Sequence, residues 1–281
     1  MAHVLANAAA PAMPPGGPGG RWADLRRRTL SAVLLAPMAV LCIWLGAEAW
    51  VALMLAAVLG LGFEWTGLCG CPGTRLPGAA VLVAILAGVG TALLNQHGWA
   101  LGVLVAGGLA VSLASPRRGL GAGVLYIGVP LVALAWLRAG EAGRADVLFV
   151  VLVVWASDIG AYGVGRALGG PKLAPAISPG KTWSGAVGGV VIAMLVGEAA
   201  AQLLAPGSVG RAALVAGLVA VASVGGDLLE SWIKRRFGVK DSGHLIPGHG
   251  GMMDRLDGLL GAAPAAALVA FVLGRGDVLW R

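Results

Sequence analysis

The stretch DVLFVVLVVWASDIGAYGVGR, residues 146–166, decides the fold. It is mostly apolar and has about the length a helix needs to cross the hydrocarbon core of a bilayer, roughly 20 residues. Yet it holds a carboxylate, Asp158, at a depth where a charge costs about 3 kcal/mol or more. The run therefore predicts a membrane-spanning helix whose Asp158 faces the bundle interior or a wet cavity, paired with a cation or metal. The plainer alternative is a buried aspartate that ties helices together by hydrogen bonds.

The rest of the chain agrees with that span. Its 281 residues are 58% hydrophobic and only 12% charged, with a mean hydropathy of +0.86, whereas a soluble domain is about a quarter charged. Nine apolar runs match the spanning template, at about 29–46, 49–67, 78–94, 98–114, 120–137, 146–166, 184–204, 211–230 and 257–274. The pair between 78 and 114 is short enough to be read also as tilted or re-entrant. The expected fold is an all-α, polytopic bundle of about nine transmembrane helices. Residues 1–20, rich in Ala, Pro and Gly, predict a disordered tail. Residues 21–150 form the N-terminal helices, and 151–281 a C-terminal catalytic region with cytoplasmic loops at 167–183 and 231–256. The basic collar RWADLRRRTL before the first run also resembles a secretory signal, with Ala47-Glu48-Ala49 as its small-residue cleavage site. The many later spans favour an uncleaved first helix instead.

The net charge of +7 matters through its placement. With nine spans and a cytoplasmic N-terminus, only Arg138, Arg144, Arg211, Arg275 and Arg281 of the twenty Lys and Arg fall outside. That bias predicts an N-in, C-out topology with the site at the cytoplasmic face, as in a bacterial inner membrane. No nucleic-acid partner is expected. Cys69-Gly70-Cys71 is too tight for the usual two-residue zinc spacing.

Chemistry concentrates in two polar regions. The first is WASDIGAYGVGRALGGPKLAPAISPGKTWSG, residues 155–185. SPGKT tempts a phosphate-loop reading, but Pro175 stands where that motif needs glycine. What survives is Ser178, Lys181 and Thr182 just before a helix, where free N–H groups favour an anion. The alternative is a capped helix start with a snorkelling lysine. The second region begins at GGDLLESWIKRR, where Asp227, Glu230, Ser231 and Lys234 share one helical face. Glu230 and Lys234 by themselves predict only a surface ion pair. Asp227, on the membrane side, wants a partner, and Mg²⁺ suits one or two carboxylates plus substrate phosphates. KDSGHLIPGHGGMMDRLDG, residues 240–258, follows. Its glycines allow close approach of a ligand, and Asp254 and Asp257 flank Arg255 at a helix start. Acidic residues beside basic ones, facing a second acidic helix, suit a metal-plus-phosphate site. His249 could ligate, titrate or cap the turn, and a phosphate contact is favoured over zinc.

At these residues a family is recognisable. SWIKRRFGVKDSGHLIPGHGGMMDRLD, residues 231–257, resembles the signature of the phosphatidate cytidylyltransferases, the CDP-diacylglycerol synthases. SDIGAYGVGRALGG and ISPGKTW resemble a second conserved region of that family, and RRRTLSAVLLAP its first-helix start. The resemblance implies transfer of a cytidylyl group from CTP to phosphatidic acid, with Mg²⁺ and room for a second cation. It implies Asp227, Asp254 and Asp257 as metal ligands. Lys234, Lys240, Asp241 and Arg255 join them as catalytic residues. Asp158, Arg166, Ser178, Lys181, Thr182, Ser231, Arg235, His249, Gly250 and Gly251 are implied to bind substrate. A homodimer in the bilayer is implied as well. The family often carries an acidic residue after KTW, where this chain has Ser184. Two rivals stand beside it: a CTP-dependent polyprenol or dolichol kinase, which the resemblance brings in through shared general architecture, and an ion-coupled transporter using Asp158 and Asp227 as intramembrane ion sites.

Overall fold

The structure is a computed structural model and describes residues 33–71, 73–115, 117, 119–205, 210–243, 245, 250–273 and 278–281. Among the described residues the apolar helices are α1 Val33–Leu45, α2 Ala47–Leu68, α3 Leu76–Leu93, α4 His97–Ala114, α5 Ala122–Arg138, α6 Gly143–Leu168, α7 Trp183–Leu204, α8 Arg211–Arg236 and α9 Met253–Val272. Among the described residues, seven are long and apolar enough to cross a membrane; α1 and α5 are shorter. Helix is the form such segments must take, because hydrocarbon offers no partner for a free backbone N–H or C=O. The chain is thus an all-α integral membrane protein.

Its outer surface confirms the solvent. Leu34, Leu113, Leu195, Leu203 and Phe271 stand exposed around the bundle, an apolar coat that water would not tolerate. The interior is built by close approach of small residues, as expected where lipid is as apolar as leucine. At the α6–α7 seam, a Cβ on Gly189 would lie 2.7 Å from the Ser157 carbonyl oxygen. At the α8–α9 seam, a Cβ on Gly226 would lie 2.6 Å from the Asp257 carbonyl oxygen and 2.8 Å from the Gly261 nitrogen. These two seams press the polar halves of four helices together.

Two features depart from the hydropathy pattern. Between α6 and α7 lies a small antiparallel hairpin, β1 Lys172–Ala174 and β2 Ser178–Thr182, with Lys172 opposite Thr182. Helix α8 also continues past residue 230 to Arg236, because its polar residues find partners inside the bundle rather than in water.

Candidate active site

Helices α6, α8 and α9 and the hairpin bring their polar residues to one end of the bundle. One carboxylate oxygen each from Asp227, Glu230 and Asp257 lies within 4.8 Å of the others. Glu230 is 0% exposed, and its Oε1 has no hydrogen-bond partner. Three acidic groups this close repel one another unless a cation sits among them or protons neutralise them. An all-oxygen donor set with an unsatisfied oxygen fits a hard divalent ion such as Mg²⁺.

Lysines flank the trio on both sides. Lys181, on β2, forms an ion pair with Asp227, and Ser231 Oγ lies 3.5 Å from Asp227 Oδ1. Lys234 Nζ donates to Glu230 Oε2 at 2.9 Å and to Asp254 Oδ1 at 2.6 Å. A cavity of about 610 Å³ opens beside Asp227, bounded by Asp158, Tyr162, Arg166, Lys172, Lys181 and Thr182 among others. Asp158 therefore faces the same cavity as Lys181 and Asp227.

Asp254 sits differently from Asp257. Its Oδ2 accepts from the backbone N–H groups of Gly251 at 3.0 Å and Ser242 at 3.1 Å, and from Ser242 Oγ at 3.0 Å. With Lys234 on Oδ1, both oxygens are occupied by protein donors. The structure thus gathers Asp227 and Asp257 with Glu230, and sets Asp254 in a clasp one turn away.

The clasp has a second jaw. Glu64, inside α2, is 5% exposed. It accepts from the N–H groups of Met252 at 2.6 Å and Met253 at 2.7 Å, with Ser242 Oγ 3.0 Å from its Oε2. It caps the free N–H groups at the start of α9 and offsets their partial positive charge. A Cβ on Gly251 would strike Ser242 Oγ and lie 2.7 Å from Glu64, so only glycine allows this approach. Glu64 was missed by sequence reasoning although it carries the signal that exposed Asp158, a carboxylate inside an apolar span. Glu230 was undervalued, Ser242 was missed, and so was Tyr126. The Tyr126 hydroxyl is buried without a partner, and its ring lies 5.3 Å from that of Trp65.

The remaining expected residues are spread around the cavity. Thr182 caps α7 by accepting from Gly185 N–H at 3.1 Å. Arg235 donates to the carbonyls of Ile177 at 3.3 Å and Val239 at 3.1 Å, tying α8 to the hairpin turn. Ser184, standing where the family often has an acid, donates to the Gly169 carbonyl and lies 3.1 Å from Thr182 Oγ1. Ser178 is half-buried on β2, while Lys240, Asp241 and Arg255 are exposed. Gly250 has a φ of 79°, a backbone angle that favours glycine. His249 lies outside the described residues. Burial pushes the Cys69 thiol up to about 11; Cys71 adds to the rise and Arg117 opposes it. It stays a thiol, not the thiolate a metal needs.

Comparison with known proteins agrees with the site's chemistry. The sequence profile of the Cytidylyltransferase family matches residues 26–273. A phosphatidate cytidylyltransferase of Brucella abortus biovar 1 (strain 9-941) is 41% identical over 266 residues, covering 91% of this chain and 97% of its own. The protein of that name from Pseudomonas aeruginosa is 34% identical over 268 residues, covering 90% of this chain and 99% of its own. One from Mycobacterium bovis is 40% identical over 151 residues, 53% of this chain and 49% of its own. On a match across most of its length, the chain belongs to the cytidylyltransferase family of nucleotidyl-transferring enzymes.

Proposed function

We propose that this enzyme transfers the cytidylyl group of CTP to phosphatidic acid, giving CDP-diacylglycerol and pyrophosphate for phospholipid synthesis. In a chain of this family, the observation that carries it is the carboxylate trio Asp227, Glu230 and Asp257, flanked by Lys181 and Lys234 beside the 610 Å³ cavity.

Asp227, Glu230 and Asp257 would hold Mg²⁺, which when bound neutralises phosphate charge near the transferring phosphorus. The chain's own residues bind, orient and neutralise. Lys181 is engaged with Asp227 and stands at the cavity wall, placed to exchange that partner for a triphosphate oxygen. Arg166 and Lys172 on the same wall, with exposed Lys240 and Arg255, offer further charge to phosphates. Lys234, held by Glu230 and Asp254, keeps α8 and α9 in register. A lipid phosphate oxygen attacks the α-phosphorus in line; the new P–O bond forms as the bond to the β-phosphate bridging oxygen breaks, and pyrophosphate leaves with that electron pair. The nucleophile is already an anion at neutral pH, so no general base is needed, and catalysis reduces to positioning and charge neutralisation.

A soluble donor and a membrane acceptor call for a site at the bilayer surface. The placement of Lys and Arg supports the N-in, C-out topology, which turns this end of the bundle to the cytoplasm of a bacterial inner membrane. A homodimer follows from the family resemblance.

The test uses purified enzyme, phosphatidic acid and Mg²⁺ with CTP labelled at the α- or the γ-phosphate. Label from the α-position in the lipid fraction, abolished by chelator, is expected. Label from the γ-position in the lipid would assign a lipid kinase instead. Ion flux in liposomes without nucleotide, with no lipid conversion, would assign a transporter.

A further inference from the structure

A second cavity, of about 520 Å³, lies where α1 ends, α5 gives way to α6, and α7 ends. The carboxylate trio, on α8 and α9, gathers at the opposite end of the bundle, where Asp227 shares a cavity with Asp158 and Arg166 in the later part of α6. From Arg144 to Arg166 along α6 is about 33 Å at 1.5 Å per residue, roughly the hydrocarbon thickness of a bilayer. The two cavities therefore face opposite leaflets.

Its polar lining is Arg138, Arg144 and Glu141. Both guanidinium groups are held by the fold. Arg144 lies over the ring of Trp44, 4.9 Å from its centroid. Arg138 lies against Gly46, where the chain breaks between α1 and α2 with a φ of 71°; a Cβ there would collide with the guanidinium. Arg138 Nε is buried and has no hydrogen-bond partner, a state that costs free energy until an acceptor arrives. Among the described residues neither arginine forms an ion pair, and the two sit close enough to repel. The start of α6 contributes Ala142, Arg144 and Ala145 to the same wall, with no side-chain cap at Ala142.

We infer that this cavity binds the phosphate of an anionic phospholipid in the leaflet opposite the catalytic cavity. A lipid rather than a soluble anion is indicated by the surroundings. Leu203, in the cavity wall, is 86% exposed on the outer surface, and Trp44 is half exposed beside Leu45. Acyl chains leaving the phosphate meet an apolar flank, and a Trp at headgroup depth is the usual interfacial anchor. This site is independent of what the catalytic cavity binds.

The test titrates protein in neutral detergent with phosphatidylglycerol, phosphatidylcholine or inorganic phosphate, reading bound lipid by native mass spectrometry and protection by thermal melting. Phosphatidylglycerol is expected to bind the wild type. Its apparent affinity should fall roughly tenfold in Arg138→Gln and in Arg144→Gln, as expected for loss of a charge-assisted phosphate contact. Arg138→Lys should keep part of it. Phosphatidylcholine should bind no better to the wild type than to the double variant. Unchanged phosphatidylglycerol binding in the double variant, or protection by inorganic phosphate equal to that by lipid, would overturn the inference. Should Arg138→Gln fail to fold, Arg144→Gln carries the test alone, since the Arg144 side chain is exposed.

Discussion

Replacing Glu64 by Gln would test how the catalytic end is held together. Glu64 accepts hydrogen bonds from Met252 N–H and Met253 N–H, and Ser242 Oγ lies within 3.0 Å. Gln keeps one acceptor oxygen and turns the other into an NH₂ donor that faces another donor. One charge-assisted bond is lost outright, at about 1.5–3 kcal/mol, and a buried N–H is left unsatisfied. Part of that loss is recovered by local rearrangement, so the start of α9 should open more easily by about 2–4 kcal/mol. At 1.4 kcal/mol per decade, amide exchange there should accelerate roughly 30- to 700-fold. The assay is hydrogen exchange by mass spectrometry in detergent, following the peptide that contains Met252 to Asp254, with α3 and α4 as internal references. Glu48→Gln, an exposed change in the same helix, should alter nothing. Turnover should fall with the exchange protection, because Asp257 and Asp254 both ride on the first turns of α9. If the α9 peptide of Glu64→Gln exchanges at the wild-type rate, Glu64 is not the clasp described here.

Further outcomes are expected from the same geometry. Asp257→Asn should lower turnover at least about a hundredfold and raise the Mg²⁺ concentration needed for half-activity, with melting behaviour retained. Lys234→Ala leaves Glu230 and Asp254 without their shared cation in a site where Lys234 is only 13% exposed; detergent melting should report a loss of about 3–5 kcal/mol. Gly226→Ala, whose methyl would press on the backbone of α9, should cost about 1–3 kcal/mol by overpacking and move Asp257 away from Asp227. Cys69, raised from 9.0 to about 11, is neutral below that pH. At pH 8 its alkylation should run about a hundredfold slower than that of an ordinary thiol and rise tenfold per pH unit toward 11.

Much of this architecture was legible before any coordinates. Spans expected at 49–67, 78–94 and 98–114 appear as Ala47–Leu68, Leu76–Leu93 and His97–Ala114, since a run of apolar residues in lipid has few alternatives to helix. Asp158 and Asp227 stood out because a carboxylate in an apolar span demands a reason. The shared helical face of Asp227, Glu230, Ser231 and Lys234 was legible from spacing alone, whereas the bond from Lys234 to Asp254, on another helix, was not.

The division of labour among the acids was not legible. Asp254 and Asp257 are three residues apart and look equivalent in sequence, yet one is saturated by Gly251, Ser242 and Lys234 while the other joins Asp227 and Glu230. The local pattern determined the helices, the solvent they need and the acids that had to be buried, because each of those depends on residues a turn or two apart. Only the tertiary structure decided which acids share a cation site and which hold the backbone. That choice rests on Glu64, 188 residues from the Met252 amide it caps, and no local periodicity can report a contact made across the whole bundle.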